Sequence, residues 1–286
     1  MYEDLEFPFE NLNEDEKVID ELKQALVEAT KRCLGKEKCA LLFSGGLDST
    51  VIAALLKKLG VEFTAYVVGF EDSKDVSAAR KAAEELGINL KTITVRQEEM
   101  PELIRAVAWV TKTADPITVG VSIPLYAAAK AAALDGGKVV FSGSGGDELF
   151  AGYDSHAKAL ERGWEAVHSE CIKRLHTDID KDLVRDARIC KHFGMEPRVP
   201  FMDMDVVRLA LSIHPKLKIS TGQNKLILRR VAEQLGVPKE ISQRKKTAAQ
   251  YGSGVNKALK KLSRRSGFES MKSYLDSQLV NVYKSA

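Results

Sequence analysis

Cysteine is scarce: Cys33, Cys39, Cys171 and Cys190 are the only four in 286 residues, and no two stand as CxxC. The five histidines, His156, His168, His176, His192 and His214, form no ligand-spaced set with them. This argues against a zinc site or a disulfide framework and for buried free thiols in a reducing cytoplasm. Long apolar runs are missing too. None reaches the ~20 residues that cross a bilayer, so no membrane partner is expected. The opening stretch MYEDLEFPFENLNEDEK is acidic, which fits neither a secretory nor an organellar signal. Net charge is small, +3 with His neutral, too little by itself to imply a nucleic-acid partner. No internal repeat or low-complexity segment occurs. What remains is the composition of a soluble globular protein, 44% hydrophobic and 29% charged. Its length suits one large domain or two small ones.

The most informative stretch is residues 38–60, KCALLFSGGLDSTVIAALLKKLG. An apolar run from Cys39 to Phe43 has strand length. Val51, Ile52, Leu55, Leu56 and Leu59 then recur at helical spacing, with Gly60 as a stop. Between strand and helix lie Ser44, Gly45, Gly46, Leu47, Asp48 and Ser49. Glycines let backbone approach a ligand, and free N–H groups at a helix start attract an anion. The loop matches neither GxGxxG nor GxxxxGK[ST]. Its only charge is the acid Asp48, beside the hydroxyls of Ser44, Ser49 and Thr50. A carboxylate facing a polyphosphate requires an intervening cation such as Mg²⁺. An ordinary βα turn has the same outline. Strand before, helix after and acid with hydroxyls between favour the phosphate reading.

A helix is expected over 14–35, then strands at Phe63–Val68 and Ile88–Val95 around a helix from about Asp75 to Leu86. Pro101 opens a helix to about Thr111, Asp115-Pro116 breaks it, and Pro124–Leu134 forms another. Lys138–Ser142 reads as the next strand. Alternating strands and helices imply βαβ units and a parallel sheet, with ligands outside the strand carboxyl ends. After about residue 155 strand signals fade, and 156–176, 178–193, 203–213 and 224–235 read as helices. The expected division is an N-terminal helical segment (1–37), an α/β core (38–155) and a helical C-terminal part of the same domain (156–286). The lysine- and arginine-rich stretch 260–265 reads as a solvated helix face.

The segment Val139 to Phe150, VVFSGSGGDELF, echoes the first loop: a strand ends in Phe-Ser-Gly and an acid follows. A parallel sheet sets both strand ends on one rim. Asp48 and Asp147 are then candidates to hold Mg²⁺, which takes few protein carboxylates plus substrate oxygens. For Glu148 the simpler reading is a helix cap.

These residues resemble a known family. SGGLDS after an apolar strand is similar to the pyrophosphate loop of the N-type ATP pyrophosphatases. SGSGGDELFAGY resembles the SGxGxDExFGGY signature of the asparagine synthetase synthetase domain. Arg198-Val199-Pro200-Phe201-Met202-Asp203 resembles that family's RVPFLD, Lys225-Leu226-Ile227-Leu228-Arg229 its KxxLR, and Arg244-Lys245-Lys246 its RxK. The resemblance covers roughly residues 15–260. It implies a Rossmann-like, adenine nucleotide α-hydrolase-like α/β fold with a helical C-terminal half. It further implies that ATP and Mg²⁺ bind here and that a carboxylate is adenylated, with pyrophosphate released. Ammonia or an amine then displaces AMP. Adenine would lie against Leu42 and Val68, with the α-phosphate near Ser142 and Gly143. Ser44, Gly45, Gly46, Asp48, Ser49 and Thr50 would hold the outer phosphates. Lys246 is the implied catalytic cation beside Asp48 and Asp147, with Lys225 and Arg244 as secondary candidates. Asp182 and Arg185 match residues near the acceptor.

Two departures stand out. The family's glutamine-dependent members begin with a glutaminase domain, whereas here only about 35 residues precede the first strand, fewer than the ~50 of a small domain. Ammonia from solution or from a separate glutaminase subunit is therefore expected. The asparagine-forming members also carry Glu where this chain has Ser144, which puts aspartate as the acceptor in question. Glu148 joins Ser144 as a substrate-side candidate. A second reading is an N-type ATP pyrophosphatase acting on a tRNA base, mildly favoured by the basic C-terminal stretch. A third is a non-catalytic nucleotide-binding module, against which Asp48, Asp147 and Lys246 argue. A homodimer is compatible with all three.

Overall fold

The computed structural model describes residue 9 and residues 15–244 and 252–284. Helix α1 (Asp15–Arg32) precedes strand β1 (Cys39–Leu42) and helix α2 (Leu47–Lys58). Then come β2 (Phe63–Gly69), α3 (Lys74–Leu86), β3 (Leu90–Thr94), α4 (Met100–Thr111), α5 (Pro116–Leu134) and β4 (Val139–Phe141). Short α6 (Gly146–Leu149) leads to α7 (Asp154–Leu160), α8 (Trp164–Arg174) and α9 (Asp180–His192). Strand β5 (Glu196–Arg198), α10 (Met204–Ser212), a two-residue hairpin pair β6 (Ile219–Ser220) and β7 (Gln223–Asn224), α11 (Leu226–Gln234) and α12 (Lys239–Ser242) follow. Helices Val255–Arg265 and Met271–Lys284 complete the described chain.

Five parallel strands form one sheet in the order β3-β2-β1-β4-β5. The chain steps outward from β1 through β2 to β3, then returns to lay β4 on the other side of β1. The order reverses between β1 and β4, where an open α/β sheet forms its ligand crevice. Cys39, Ala40 and Leu41 register with Val139, Val140 and Phe141, so the two glycine loops leave neighbouring strand ends side by side.

Alternation along each strand sends side chains to two cores. Leu41, Ala65, Val67 and Phe141 face a core shared with α1, α2, α3, α10 and α11. Ala40, Tyr66, Val68 and Val140 face one built with α4, α5, α9 and the last two helices. Side chains such as Leu41, Leu55 and Phe141 are fully buried, each stabilising the fold by roughly 1.5–3 kcal/mol. Ser73 caps α3, its hydroxyl accepting from Val76 N at 3.4 Å, and Gly87 closes that helix in the left-handed region at φ 60°.

The fold differs from the sequence reading in several places, one of them the β6–β7 hairpin beyond residue 155. A fifth strand lies beyond residue 155: Glu196–Arg198 pairs parallel with β4. Three residues show no alternation, and Pro197 removes a donor, which only an edge strand tolerates. The helix expected over 156–176 is two, parted at Gly163 with φ 107°. Asp115 and Pro116 do not end a helix but open one: the Asp115 carboxylate accepts from Thr118 N at 2.8 Å, Pro116 takes the first turn, and Pro124 lies inside α5. That 19-residue helix is also long and apolar enough to cross a membrane, a run the sequence reading missed because it divided the segment. Here 61% of its most apolar window is buried, and it packs on the sheet.

Candidate active site

The first loop is shaped by close approach. Gly45 has φ 65°, and a Cβ there would sit 2.6 Å from the backbone of Ala78. Gly46 caps α2 with extended backbone and no side-chain cap, leaving first-turn N–H groups for an anion. Three hydroxyls hold the turn: Ser44 Oγ accepts from Gly46 N at 3.3 Å, while Ser49 and Thr50 donate to Gly46 O at 3.1 and 2.8 Å. Thr50 is wholly buried and Ser49 nearly so. Their hydroxyls shape the loop. Leu42 and Val68 lie on the same sheet face near the carboxyl rim, Val68 buried and Leu42 packed against the same core.

The second loop touches the first. A Cβ on Gly143 would come 2.7 Å from Asp48 Cβ, and one on Gly146 2.7 Å from Asp48 Oδ1. These glycines give Asp48 its space. Gly145, at φ 94°, passes Met202, whose Sδ would be 2.5 Å from an added Cβ. The RVPFMD segment thus works as scaffold. Phe201 is buried edge-on to Phe150 at 6.0 Å. Asp203 caps α10 through Asp205 N and takes the Arg32 guanidinium at 2.6 and 2.8 Å.

The two acids of the loops do meet, and Lys225 lies between them. Its Nζ is 2.7 and 2.6 Å from the Asp48 oxygens and 2.6 Å from Asp147 Oδ1. The lysine side chain is 4% exposed. Burial works against its charge, but Asp147 and Asp48 more than offset that and raise its pKa, so it is an ammonium at neutral pH. Lys225 holds φ 59°, and Ala151 φ 56°, two of the three non-glycine residues in the left-handed region among those described. Such strain persists only where surroundings over-determine it. Gly152 completes the enclosure, because a Cβ there would overlap Asp147 Oδ1 and Lys225 Cε. The sequence reading sets Lys225 among phosphate contacts; the structure shows it bridging the two acids. Lys246, the first-ranked cation of that reading, lies outside the described residues.

Glu148 is not an exposed cap. It is 3% exposed, and its Oε1 accepts from Tyr153 Oη at 2.5 Å. Burial, with Asp147 adding to it, raises its pKa, and burial together with Glu148 raises that of Tyr153. On the acceptor side, Arg185 donates to Asp182 at 2.6 Å and to Asp186 at 2.8 Å. Asp186 Oδ2 in turn accepts from Ser144 Oγ at 3.5 Å, and Ser142 Oγ lies 3.1 Å from Ser144 Oγ. The sequence reading missed Tyr153 and Asp186. Tyr153 closes the DELFAGY motif and was open to notice; Asp186 carries no signal beyond standing next to Arg185.

Arg244 reaches the first loop from the far side, donating to Gly45 O at 3.0 Å, with Asp75 Oδ1 3.9 Å away. Arg229 steadies that segment through Asn224 O, Ser242 O and Arg244 O at 2.7, 2.5 and 3.2 Å. Among the described residues no group of three or more His, Cys, Asp or Glu converges as a metal cluster.

The sequence matches the family described as Asparagine synthase over residues 21–165 and 156–282. A Methanocaldococcus jannaschii protein named "Putative asparagine synthetase [glutamine-hydrolyzing] 1" is 36% identical over 88% of this chain and 53% of its own length. Asparagine synthetase B [glutamine-hydrolyzing] of Escherichia coli is 31% identical over 82% of this chain and 45% of its own. The chain spans about half the length of the curated relatives it matches. Among solved structures, U34-tRNA thiolase NcsA of Methanococcus maripaludis is 17% identical, covers 95% of this chain and 81% of its own, and has a TM-score of 0.45. With its two glycine loops, its DELFAGY and RVPFMD segments and the profile match along nearly its whole described length, the chain belongs to the asparagine synthase family.

Proposed function

We propose that this chain is an ATP-dependent, AMP-forming ligase that joins a carboxylate to ammonia or an amine, with aspartate and ammonia as the first pair to test. The observation that carries this reading is the convergence of Asp48 and Asp147, from two loops on one sheet rim, on a single positive charge. A substrate carboxylate oxygen attacks the α-phosphorus of ATP and the bond to the bridging oxygen breaks, releasing pyrophosphate. The amine then attacks the acyl carbon, AMP leaves with the bonding pair, and the amine gives up a proton. First-turn N–H groups of α2 and the Gly45-Gly46 backbone bind the outer phosphates. Lys225 is an ammonium within reach of the developing charge. Ser144, Asp182, Arg185 and Asp186 form the side from which the acceptor carboxylate enters.

The chemistry of the donor set fits Mg²⁺: two hard carboxylates from separate loops gathered at one cation position, the few protein oxygens that this ion takes beside phosphate and water. Asp48 and Asp147 would hold it, and when bound it supplies charge neutralisation at the phosphates. The test is product identity. Pyrophosphate release from ATP should require the carboxylate and Mg²⁺, and sustained AMP formation the amine as well; ADP and orthophosphate would refute the reading.

A further inference from the structure

Asp48 and Asp147 together carry two negative charges, and Lys225 satisfies the oxygens that face each other. Its Nζ makes three contacts of 2.6–2.7 Å with them. A divalent ion arriving alone has to displace a buried ammonium from both carboxylates and overcome its repulsion at ion-pair distance. The lysine cannot yield by moving its backbone. Leu226 N donates to Lys218 O at 2.9 Å, and Arg229 on the next turn is pinned to three carbonyls. Gly152 lines the lysine stem on one side. With the backbone held, any displacement of the ammonium falls to its methylene stem, and a buried ammonium needs a new anion to turn toward.

A polyphosphate is such an anion. We infer that Lys225 is a resident counter-cation that keeps the Asp48–Asp147 pair closed to free divalent metal, so that metal and nucleotide bind together, the phosphates drawing Lys225 aside. This rests on the nucleotide site proposed above. It adds that binding of the two is strongly coupled, and by linkage each should tighten the other equally.

The test uses Mn²⁺ as the metal probe, followed by electron paramagnetic resonance, on the whole chain with α,β-methylene-ATP as the unreactive nucleotide. Wild type without nucleotide should hold Mn²⁺ at least about tenfold more weakly than with it, a coupling inside the usual range of about 5–150-fold. Lys225→Met should bind Mn²⁺ without nucleotide about tenfold or more tighter than wild type, as removal of one like charge at this distance implies. Equal Mn²⁺ affinity of wild type with and without bound nucleotide would overturn the inference. So would a folded Lys225→Met with unchanged Mn²⁺ affinity. Should that variant not fold, Lys225→Gln, which keeps a hydrogen-bond donor and removes the charge, takes its place with the same expected tightening. No arm needs turnover, so a chain that never forms AMP would refute the proposed function and leave this result readable. If the nucleotide does not bind, the site reading fails, and Lys225→Met against wild type still decides the counter-cation.

Discussion

Asp147 Oδ1 meets Lys225 Nζ at 2.6 Å across a gap that Gly152 leaves just wide enough for both. The pair joins the second glycine loop to α11, and through Asp48 to the first loop. Asp147→Asn keeps the shape and removes the charge. Turnover should fall by about 10²-fold or more, the scale of losing one preorganised electrostatic group. Stability should fall by only about 1–3 kcal/mol, because Asp48 still neutralises the lysine. Steady-state rates and urea unfolding of the same preparation check both.

Gly152→Ala tests the enclosure. The added methyl overlaps Asp147 Oδ1 and Lys225 Cε, so we expect a loss of about 1–3 kcal/mol from overpacking and a sharp drop in turnover. Gly163→Ala is the contrast. Its φ of 107° also strains an alanine, but it lies in the turn between α7 and α8, where the added methyl would meet only a Glu165 oxygen at 3.5 Å. It should lose stability and keep its rate per folded molecule.

Arg185 is 9% exposed and is the cation beside the nearly buried Asp186. Arg185→Leu should cost about 3–5 kcal/mol by leaving a buried carboxylate without its partner. Adding Asp186→Asn should recover part of that loss. Chemical denaturation of the two single variants and the double variant closes the cycle; independent, additive losses would contradict a coupled pair.

Two buried groups give opposing pH dependences. Burial pushes Asp75 up from 3.8 to about 7, Arg244 opposing, so between about pH 4 and 7 the folded chain holds a proton the unfolded chain has lost. Its contribution makes stability fall as pH rises through that window. Burial pushes His156 down from 6.5 to about 4, so there the unfolded chain holds the extra proton, and stability rises with pH over about 4–6.5. The two slopes offset in wild type. Asp75→Asn should unmask the histidine slope, with stability at pH 8 higher than wild type by on the order of 2–4 kcal/mol. Thermal unfolding from pH 4 to 8 reads it.

Much of this architecture was legible. The β1–α2 and β4–α6 junctions announce themselves as apolar strand, Ser-Gly, then acid, and a parallel sheet follows from strands alternating with helices. β5 was not legible, because three residues around Pro197 carry no period and depend on the free edge of β4. Pro124 misled because its cost inside a helix is local, whereas α5 is held by burial along its length. The motif marks Lys225 as a phosphate contact but gives no sign of its tie to Asp48 and Asp147. A lysine stem reaches far, and only the tertiary fold decides which anion it meets. Glu148 reads as a cap from its place in the first turn of α6, whereas its tie to Tyr153 Oη exists only once the chain has turned from α6 into α7.

The central claim is that bond cleavage occurs at the α-phosphorus. The direct measurement is transfer of ¹⁸O from a labelled carboxylate, beginning with aspartate and extending to the acceptor that an ATP–pyrophosphate exchange screen identifies. The account requires one labelled oxygen to appear in AMP, with none in pyrophosphate or orthophosphate. Label in orthophosphate, or turnover that leaves AMP unlabelled, would contradict it.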